Sequence, residues 1–190
     1  MPARENPHGF PAAGLDDGVV RLRFRTEADL PSVVAAAGET AMARWTRVPD
    51  DLDLERAGEL LDEARAEMAA GKLLDLVIAG ADTDELLGAC GVIEFVLDEQ
   101  RCEVGAWLAP GARGDGVMSR AGRLLCAWLF DELGMMRIAA GTEPDNVASQ
   151  ALLERLGFER EGVMRSLFEM KGRRRDFLYY SLLPGELVTD

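Results

Sequence analysis

Apolar residues recur along this chain either at every second position or at helical spacing, and these two patterns predict its strands and helices. Residues 19–25 alternate apolar and polar side chains, which is the pattern of a half-buried strand. Thr26 can cap a helix that follows this strand. Apolar residues then recur at helical spacing over residues 54–70, which predicts a further helix that ends at Gly71.

The rest of the chain continues as strands and helices separated by turn residues. The turn-rich segment 80–84 joins two apolar runs and indicates a hairpin, and a second hairpin turns at Lys171 and Gly172. Strands are predicted over residues 73–79, 86–97, 102–108, 136–141, 162–170 and 176–183, and helices over residues 118–133 and 146–156.

This order of elements favours one α/β domain over residues 19–190. Its central sheet is expected to be mixed and mostly antiparallel, with about seven strands flanked by helices. Residues 1–18 contain three prolines and three glycines and little periodicity, so we expect a flexible N-terminal arm there.

The composition is that of a protein with a sizeable core and no membrane span. Apolar residues make up 48% of the chain, which is enough to bury a core without disulfide bonds. The longest apolar runs are far shorter than the roughly 20 residues of a membrane-spanning helix. The first residues also lack the apolar run of a secretory signal. We therefore expect a soluble, cytoplasmic protein without a membrane partner.

Charge and side-chain inventory exclude several classes of function. The formal net charge of -13 argues against nucleic-acid binding, since phosphate contacts need clustered Lys and Arg, and it favours cationic substrates. The cysteines are too few for a disulfide framework, and Cys90 and Cys126 lie in apolar runs typical of a core. His8 is the only histidine, so neither a Ser-His-Asp triad nor a metal site is expected.

A glycine-containing loop joins a predicted strand directly to a predicted helix. Gly114 and Gly116 let backbone N–H groups approach a ligand, and the helix N-terminus adds a positive dipole end. Arg113 adds a cation, so the loop suits a pyrophosphate. It is neither a Walker A motif nor a Rossmann fingerprint, and an ordinary turn is the alternative interpretation. A phosphate site also requires the carboxylate of Asp115 to point outward.

This loop resembles the acetyl-CoA signature of the GNAT superfamily of N-acyltransferases, Gln/Arg-x-x-Gly-x-Gly/Ala. Arg113 and Gly116 are in place, whereas Met118 replaces the last small residue. Residues 146–158 are similar to the Asn-x-x-Ser…Leu-Gly-Phe segment of the ribosomal-protein N-terminal acetyltransferases, the RimJ/RimL-like subgroup. Residues 103–108 resemble the central strand of that subgroup, and the whole resemblance extends from about residue 19 to residue 183.

The resemblance implies a GNAT fold in which strands 102–108 and 136–141 splay apart and admit the acyl-CoA thioester. Backbone groups of the first strand then pair with pantetheine like an added strand. Backbone N–H groups of the loop hold the pyrophosphate. The implied cofactor-binding residues are Trp107, Leu108, Arg113, Gly114, Asp115, Gly116, Val117, Met118, Asn146 and Ser149.

Acyl transfer from a thioester needs a neutral amine, a stabilised oxyanion and a proton for the departing thiolate. Glu103 is the candidate base, directly or through water. A strand-edge glutamate that faces solvent is the alternative interpretation of this residue, and Glu94, Asp98 and Glu99 are neighbouring candidates. A backbone N–H near Trp107 is the natural oxyanion donor.

Asn146 and Ser149 are three residues apart, so both can face the thioester from one helix. The subgroup comparison suggests that Asn146 binds pantetheine and an ordered water and that Ser149 protonates the thiolate; a helix cap and a small packing residue are the alternatives. Leu153 stands where many GNAT enzymes place a tyrosine acid. Tyr179 and Tyr180 are possible substitutes, although only one of them can face the site and core packing is the more usual role.

The predicted function is transfer of an acetyl group from acetyl-CoA to a primary amine, first of all the N-terminal α-amine of a protein or peptide, within a ternary complex. The alternatives are a small amine such as an antibiotic or a polyamine, another donor such as succinyl-CoA, and a non-catalytic acyl-CoA sensor. The acceptor pocket is expected between residues 35–61 and the hairpin near residues 173–175, whose three arginines are more typical of a solvated tip. Exposed edge strands in the C-terminal hairpin indicate a homodimer.

Overall fold

Eight strands form one sheet in the computed structural model, which describes residues 6, 8–46, 48–49 and 51–189. The strands are β1 Leu15–Asp16, β2 Val20–Phe24, β3 Leu74–Gly80, β4 Leu86–Val96, β5 Arg101–Leu108, β6 Arg137–Thr142, β7 Glu159–Met170 and β8 Arg173–Leu182. The helices are α1 Leu30–Ala37, α2 Thr40–Trp45, α3 Leu54–Ala69, α4 Val117–Asp131 and α5 Val147–Leu156.

The strands lie in the order β1-β2-β3-β4-β5-β6-β8-β7, and only β5 and β6 run parallel to each other. The remaining neighbours are antiparallel. The predicted α/β class and the mixed, mostly antiparallel sheet are therefore confirmed. The expected count of about seven strands is one too low, because β1 lies in the segment that was expected to be a free arm.

Residues 8–18 of that segment are packed on the domain. Phe10 is 1% exposed, and its ring lies 5.3 Å from that of Phe24 and 5.2 Å from that of Trp128. Leu15 pairs with Leu22 in the sheet. The prediction of a flexible arm is wrong for these residues, because burial of one aromatic ring and a two-residue strand leaves no periodic pattern. Residues 1–5 and 7 lie outside the described part of the chain.

The first helical segment is tied to β2 by a buried ion pair. A short 3-10 turn, Glu27–Asp29, leads into α1, and the carboxylate of Asp29 accepts hydrogen bonds from the Arg23 guanidinium at 2.9 and 2.8 Å. It also accepts the backbone N–H of Thr26 at 2.8 Å. Burial raises the pKa of Asp29, but the hydrogen bonds from Arg23 and Thr26 outweigh it, so this pKa lies below its ordinary value.

Different helices cover the two faces of the sheet. On one face α4 and α5 pack against the strands in the main core, where Leu129, Leu156 and Tyr180 are buried. On the other face α1 and α3 form a second cluster that reaches Trp107. Because side chains alternate along a strand, Tyr180 faces the α4–α5 side and Tyr179 faces the α1–α3 side.

The sheet opens between β5 and β6. Their pairing begins at Arg101 and Arg137 and ends at Val104 and Ala140, although both strands continue further. The outer edges of these two strands stay paired with β4 and β8 over the same stretch. The predicted splay between the two central strands is therefore confirmed.

The cysteines are free and buried, as the apolar runs around Cys90 and Cys126 predict. Burial raises the pKa of the Cys102 and Cys126 thiols to about 12 and raises that of Cys90 as well. These thiols therefore act as core packing. Among the described residues, no helix is both long and apolar enough to cross a bilayer.

Candidate active site

A cavity of about 560 Å³ lies at the opening between β5 and β6. The ends of both strands, the loop before α4, the first turns of α4 and one side of α5 line it, together with residues of α2. Val104 and Ala140 belong to the α4–α5 face of the sheet, whereas Gly105, Gly141 and Phe177 belong to the opposite face. The cavity is thus lined from both faces of the sheet.

The loop before α4 depends on two glycines with positive φ. Gly114 has a φ of 98°, and Gly116, the N-cap of α4, has a φ of 75°. A Cβ on either residue meets no heavy atom within 4 Å, so backbone conformation and not crowding calls for glycine. The N–H groups of the first turn have no partner within the helix, and Val117 and Met118 of this turn line the cavity.

Arg113 and Asp115, the other loop residues, differ in their position relative to the cavity. Arg113 lines the cavity, and its Nη2 donates to the carbonyl of Leu108 at 3.0 Å, which ties the loop to the end of β5. Asp115 is exposed and is absent from the cavity lining, whereas its neighbours Gly114 and Gly116 are part of it. The carboxylate of Asp115 therefore does not oppose an anion in the cavity.

Asn146 and Ser149 lie together at the start of α5. Asn146 is the N-cap, and its Oδ1 accepts the backbone N–H of Ser149 at 3.2 Å. Both residues also line the cavity. Capping therefore leaves Asn146 at the cavity wall, and Ser149 is not buried as a packing residue.

Arg155 and Ser119 were missed by the sequence reasoning. Both line the cavity, and Arg155 Nη1 lies 3.5 Å from Ser119 Oγ, so the pair joins α5 to α4. The available signal was helical spacing, since Ser149, Leu152 and Arg155 follow one another at three-residue steps along α5. Arg155 is a second cation at the cavity besides Arg113.

Glu103 lies beside the main cavity and not in its lining. It borders a smaller cleft of about 270 Å³ together with Glu94, Arg137 and Tyr179. It pairs with Ala139 in the sheet, one residue before β5 and β6 part. Its carboxylate accepts a hydrogen bond from the Tyr179 hydroxyl. Glu103 is therefore a half-buried, oriented carboxylate and not a solvent-facing one.

The neighbouring acidic residues are less suited to the role of a base. Glu94, Asp98 and Glu99 are all exposed. Glu99 is also engaged by Arg101, whose Nε donates to it at 2.5 Å. Only Glu103 of the four candidates combines partial burial with a position next to the opening.

The two tyrosines of β8 have different environments. Tyr180 is fully buried in the main core, and its hydroxyl has no hydrogen-bond partner among the described residues. Tyr179 is half-buried, and burial followed by the hydrogen bond to Glu103 raises the pKa of its phenol above the ordinary value. Core packing therefore describes Tyr180 only. Leu153, in place of the usual tyrosine, is buried and lines the cavity.

The predicted acceptor region contributes to the cavity through α2 and β8. Met42 and Trp45 of α2 line it, which agrees with a pocket that includes part of residues 35–61. Arg175 donates through Nη1 to Glu143 at 3.0 Å and is largely buried, so a solvated tip is the wrong description for this arginine. Glu143, which also lines the cavity, has no sequence pattern around it and was missed.

The described residues were also compared with the ligand sets of metal sites. Within the described ranges, no group of three or more His, Cys, Asp or Glu side chains could hold a metal ion. The polar groups that line the two cavities are backbone N–H groups, hydroxyls, arginines and carboxylates.

Comparison with known proteins identifies the family of this chain. The sequence matches the acetyltransferase (GNAT) domain over residues 20–159. The chain belongs to the GNAT acetyltransferase family. It is 31% identical over 159 residues to the "Putative ribosomal N-acetyltransferase YdaF" of Bacillus subtilis (strain 168), covering 84% of this chain and 75% of that protein. The protein is thus a GNAT-family N-acetyltransferase.

Solved structures share the GNAT fold over nearly the whole chain. The microcin C7 self-immunity acetyltransferase MccE, in complex with acetyl-CoA and AMP, has a TM-score of 0.82 and 17% identity, covering 92% of this chain and 98% of that chain. RimL, a ribosomal L7/L12 α-N-protein acetyltransferase in complex with coenzyme A, has a TM-score of 0.80 and 19% identity, covering 92% and 97%.

Proposed function

We propose that this GNAT enzyme transfers an acetyl group from acetyl-CoA to a primary amine, in the first place the N-terminal α-amine of a protein or peptide. The observation that carries the proposal is the opening between β5 and β6, which joins the α4–α5 side of the sheet to the α1–α3 side. A cofactor from one side and an amine from the other meet there, which supports direct attack in a ternary complex.

Acetyl-CoA occupies the α4–α5 side in this proposal. The N–H groups from Arg113 to Met118 bind the pyrophosphate, with Arg113 and Arg155 as nearby cations. Beyond Val104 the edge of β5 that faces the opening has no strand partner in the described part of the chain. Pantetheine therefore pairs with the backbone groups on that edge, at Leu108 and beside Trp107, while the backbone of Trp107 itself pairs with Ala89 of β4. Asn146 extends the same set of contacts from α5.

The reaction follows from the residues beside the opening. The amine nitrogen attacks the thioester carbonyl carbon, a C–N bond forms, and the C–S bond breaks as the tetrahedral intermediate collapses. Glu103 accepts, through a water molecule, the proton that the amine loses. The hydroxyl of Tyr179 donates a hydrogen bond that orients the Glu103 carboxylate. Ser149 gives its hydroxyl proton to the CoA thiolate and regains one from solvent. A backbone N–H near Trp107 stabilises the oxyanion.

The acceptor class rests on similarity and on charge. YdaF is named as a putative ribosomal N-acetyltransferase, and RimL is named as a ribosomal L7/L12 α-N-protein acetyltransferase. The net charge of -13 supports a cationic acceptor. A small amine remains the second candidate, because MccE, which shares the fold, was solved with AMP beside acetyl-CoA. Succinyl-CoA as donor and a non-catalytic acyl-CoA sensor are the further alternatives.

An acceptor screen tests the proposal directly. Release of CoA thiol is measured with peptides, polyamines and aminoglycosides, each with acetyl-CoA and with succinyl-CoA. We expect turnover with acetyl-CoA and free N-terminal peptides and no turnover with N-terminally blocked peptides. Tight CoA binding with no turnover on any amine would support the sensor instead.

Four variants test the assigned roles. Glu103→Gln and Ser149→Ala are each expected to lower kcat by about 10²- to 10⁴-fold, the range for general acid–base groups, with little change in CoA affinity. Tyr179→Phe removes one hydrogen bond to a charged group, so a loss of roughly 10- to 100-fold follows from about 1.5–3 kcal/mol. Glu67→Gln, in an exposed pair with Lys72, is the control and should behave as wild type. An unchanged kcat/KM in Glu103→Gln removes the base assignment.

The quaternary state is part of the same proposal. β7 is the outermost strand beside β8, and most of its residues are exposed. An exposed edge strand can pair with its copy across a two-fold axis, which supports a homodimer. Light scattering of the purified protein decides between one chain and two.

A further inference from the structure

Two glycines lie directly after the point where β5 and β6 part. Val104 and Ala140 are the last residues of these strands that pair with each other, and both pack in the main core. Gly105 and Gly141 come next, so they face the opposite, α1–α3 side of the sheet. Both line the main cavity. Since glycine weakens the interior of a strand, its presence at both positions calls for a reason.

Other strand glycines have a reason in the surrounding structure. A Cβ on Gly88 would lie 2.3 Å from the carbonyl oxygen of Trp107, and one on Gly91 would lie 1.8 Å from a backbone oxygen of β3. Gly80 begins the turn between β3 and β4, and Gly162 lies at a bulge of β7. Each of these glycines therefore serves a close backbone approach, a turn or a bulge.

Gly105 and Gly141 have no such reason. Neither has a positive φ, so other residues can adopt the same backbone conformation. The Cβ position of Gly105 lies 3.2 Å from Ile93 Cγ2. That of Gly141 lies 3.2 Å from the ring of Tyr179 and 3.3 Å from that of Phe177. The nearest atoms among the described residues belong to side chains, so what the two glycines preserve is free space beside the opening.

We infer that Gly105 and Gly141 form the passage by which the acceptor reaches the thioester, and that the space they leave takes the substituent on the carbon beside the attacking nitrogen. Strand glycines often mark places where a ligand approaches the backbone closely. Glu103, the proposed base, lies two residues before Gly105 on the same face, about 7 Å along the strand, which suits proton transfer through water. The inference rests on the proposed function, because it specifies how the amine enters that site.

Ligands that join CoA to an amine test the passage without turnover. In each, the CoA sulfur carries a CH2–CO group that forms an amide with glycinamide or with L-alaninamide. The two ligands differ by one methyl group on the carbon beside the nitrogen. Titration calorimetry with wild-type protein should give Kd values within about threefold of each other. A larger preference for the glycinamide ligand overturns the inference, and this arm needs no variant.

Two variants fill the passage from its two sides. Gly105→Ala and Gly141→Ala should each weaken binding of the alaninamide ligand at least about tenfold, which corresponds to about 1.4 kcal/mol. CoA and the glycinamide ligand should stay within about threefold of wild type, because they carry no methyl group at that carbon. Gly162→Ala is the matched control, since it adds the same methyl group to a strand glycine outside both cavities, with no heavy atom within 4 Å.

The outcomes separate the passage from the proposed function. If either passage variant binds the alaninamide ligand as wild type does, or loses both ligands to the same extent, the inference fails even if acetyl transfer is observed. If both variants discriminate between the two ligands but no amine is acetylated, the proposed function fails and the passage stands.

Discussion

Replacement of Gly116 by alanine isolates the conformational requirement of the phosphate loop. Gly116 caps α4 with φ 75° and ψ 3°, a left-handed conformation. A Cβ there meets no heavy atom within 4 Å, so the substitution creates no clash. The remaining cost is the left-handed backbone of an L-residue, about 1–2 kcal/mol.

This cost can be divided between two measurable quantities. If the loop keeps its conformation without ligand, the free energy of unfolding falls by about 1–2 kcal/mol. If the loop relaxes when it is empty, the cost moves to binding, and the Kd of CoA rises by about 5- to 30-fold, because 1.4 kcal/mol corresponds to a factor of ten. The sum of the two effects should therefore stay within the same range.

Urea unfolding and CoA titration of the same preparations measure both parts. Gly111→Ala is the matched control, since Gly111 lies in the same loop, lacks a positive φ and also has no heavy atom within 4 Å of its Cβ position. We expect this control to stay within about 0.5 kcal/mol of wild type. If Gly116→Ala matches the control in both measurements, the loop conformation does not contribute to CoA binding as proposed.

The remaining predictions concern stability and the accessibility of the thiols. Gly91→Ala should lower the free energy of unfolding by about 4 kcal/mol or more, because its Cβ would lie 1.8 Å from a backbone oxygen of β3. Gly58→Ala, within α3 and with no heavy atom within 4 Å of its Cβ position, should raise it by about 0.5–1 kcal/mol. Urea unfolding measures both. Asp29→Asn should cost about 3–5 kcal/mol by breaking a buried pair. The pKa of Asp29 is lowered in the folded protein, so its carboxylate stabilises the fold at pH values above its ordinary pKa of 3.8. This contribution should disappear as the pH falls through the folded pKa, which thermal melts at acid pH would measure. Asp29→Asn should not show this loss of stability. The buried thiols should resist a disulfide reagent at pH 8 in native protein, and all 3 should react in denaturant.

Local sequence signals predicted most of the elements. α4 starts within one residue of its expected start and α5 within one residue of its own, because glycine, Asn146 and helical periodicity act over a few positions. The same locality made the loop at Gly114 and Gly116 recognisable, since its conformation depends on its own residues. Arg155 shows the limit of this reasoning: its helical spacing from Ser149 was visible, but its position at the cavity depends on how α5 packs.

Chemistry that depends on partners distant in the chain could not be predicted from local patterns. Tyr179 donates to Glu103 across 76 residues of chain, and Arg175 pairs with Glu143 across 32. Neither pair leaves a periodic trace, and whether Glu103 faces solvent or a cleft depends on the strand placed beside it.

The amino-acid order by itself settles where strands, helices and the glycine loop lie, because hydrophobic periodicity, capping and backbone freedom are properties of neighbouring residues. Tertiary structure alone settles that β5 and β6 part after Val104, that Phe10 is buried in the core and that Glu143 pairs with Arg175. These features depend on packing and hydrogen bonds between segments that are far apart in the chain. The cavity at the opening depends on the same long-range contacts, because β5, β6, α4 and α5 all line it.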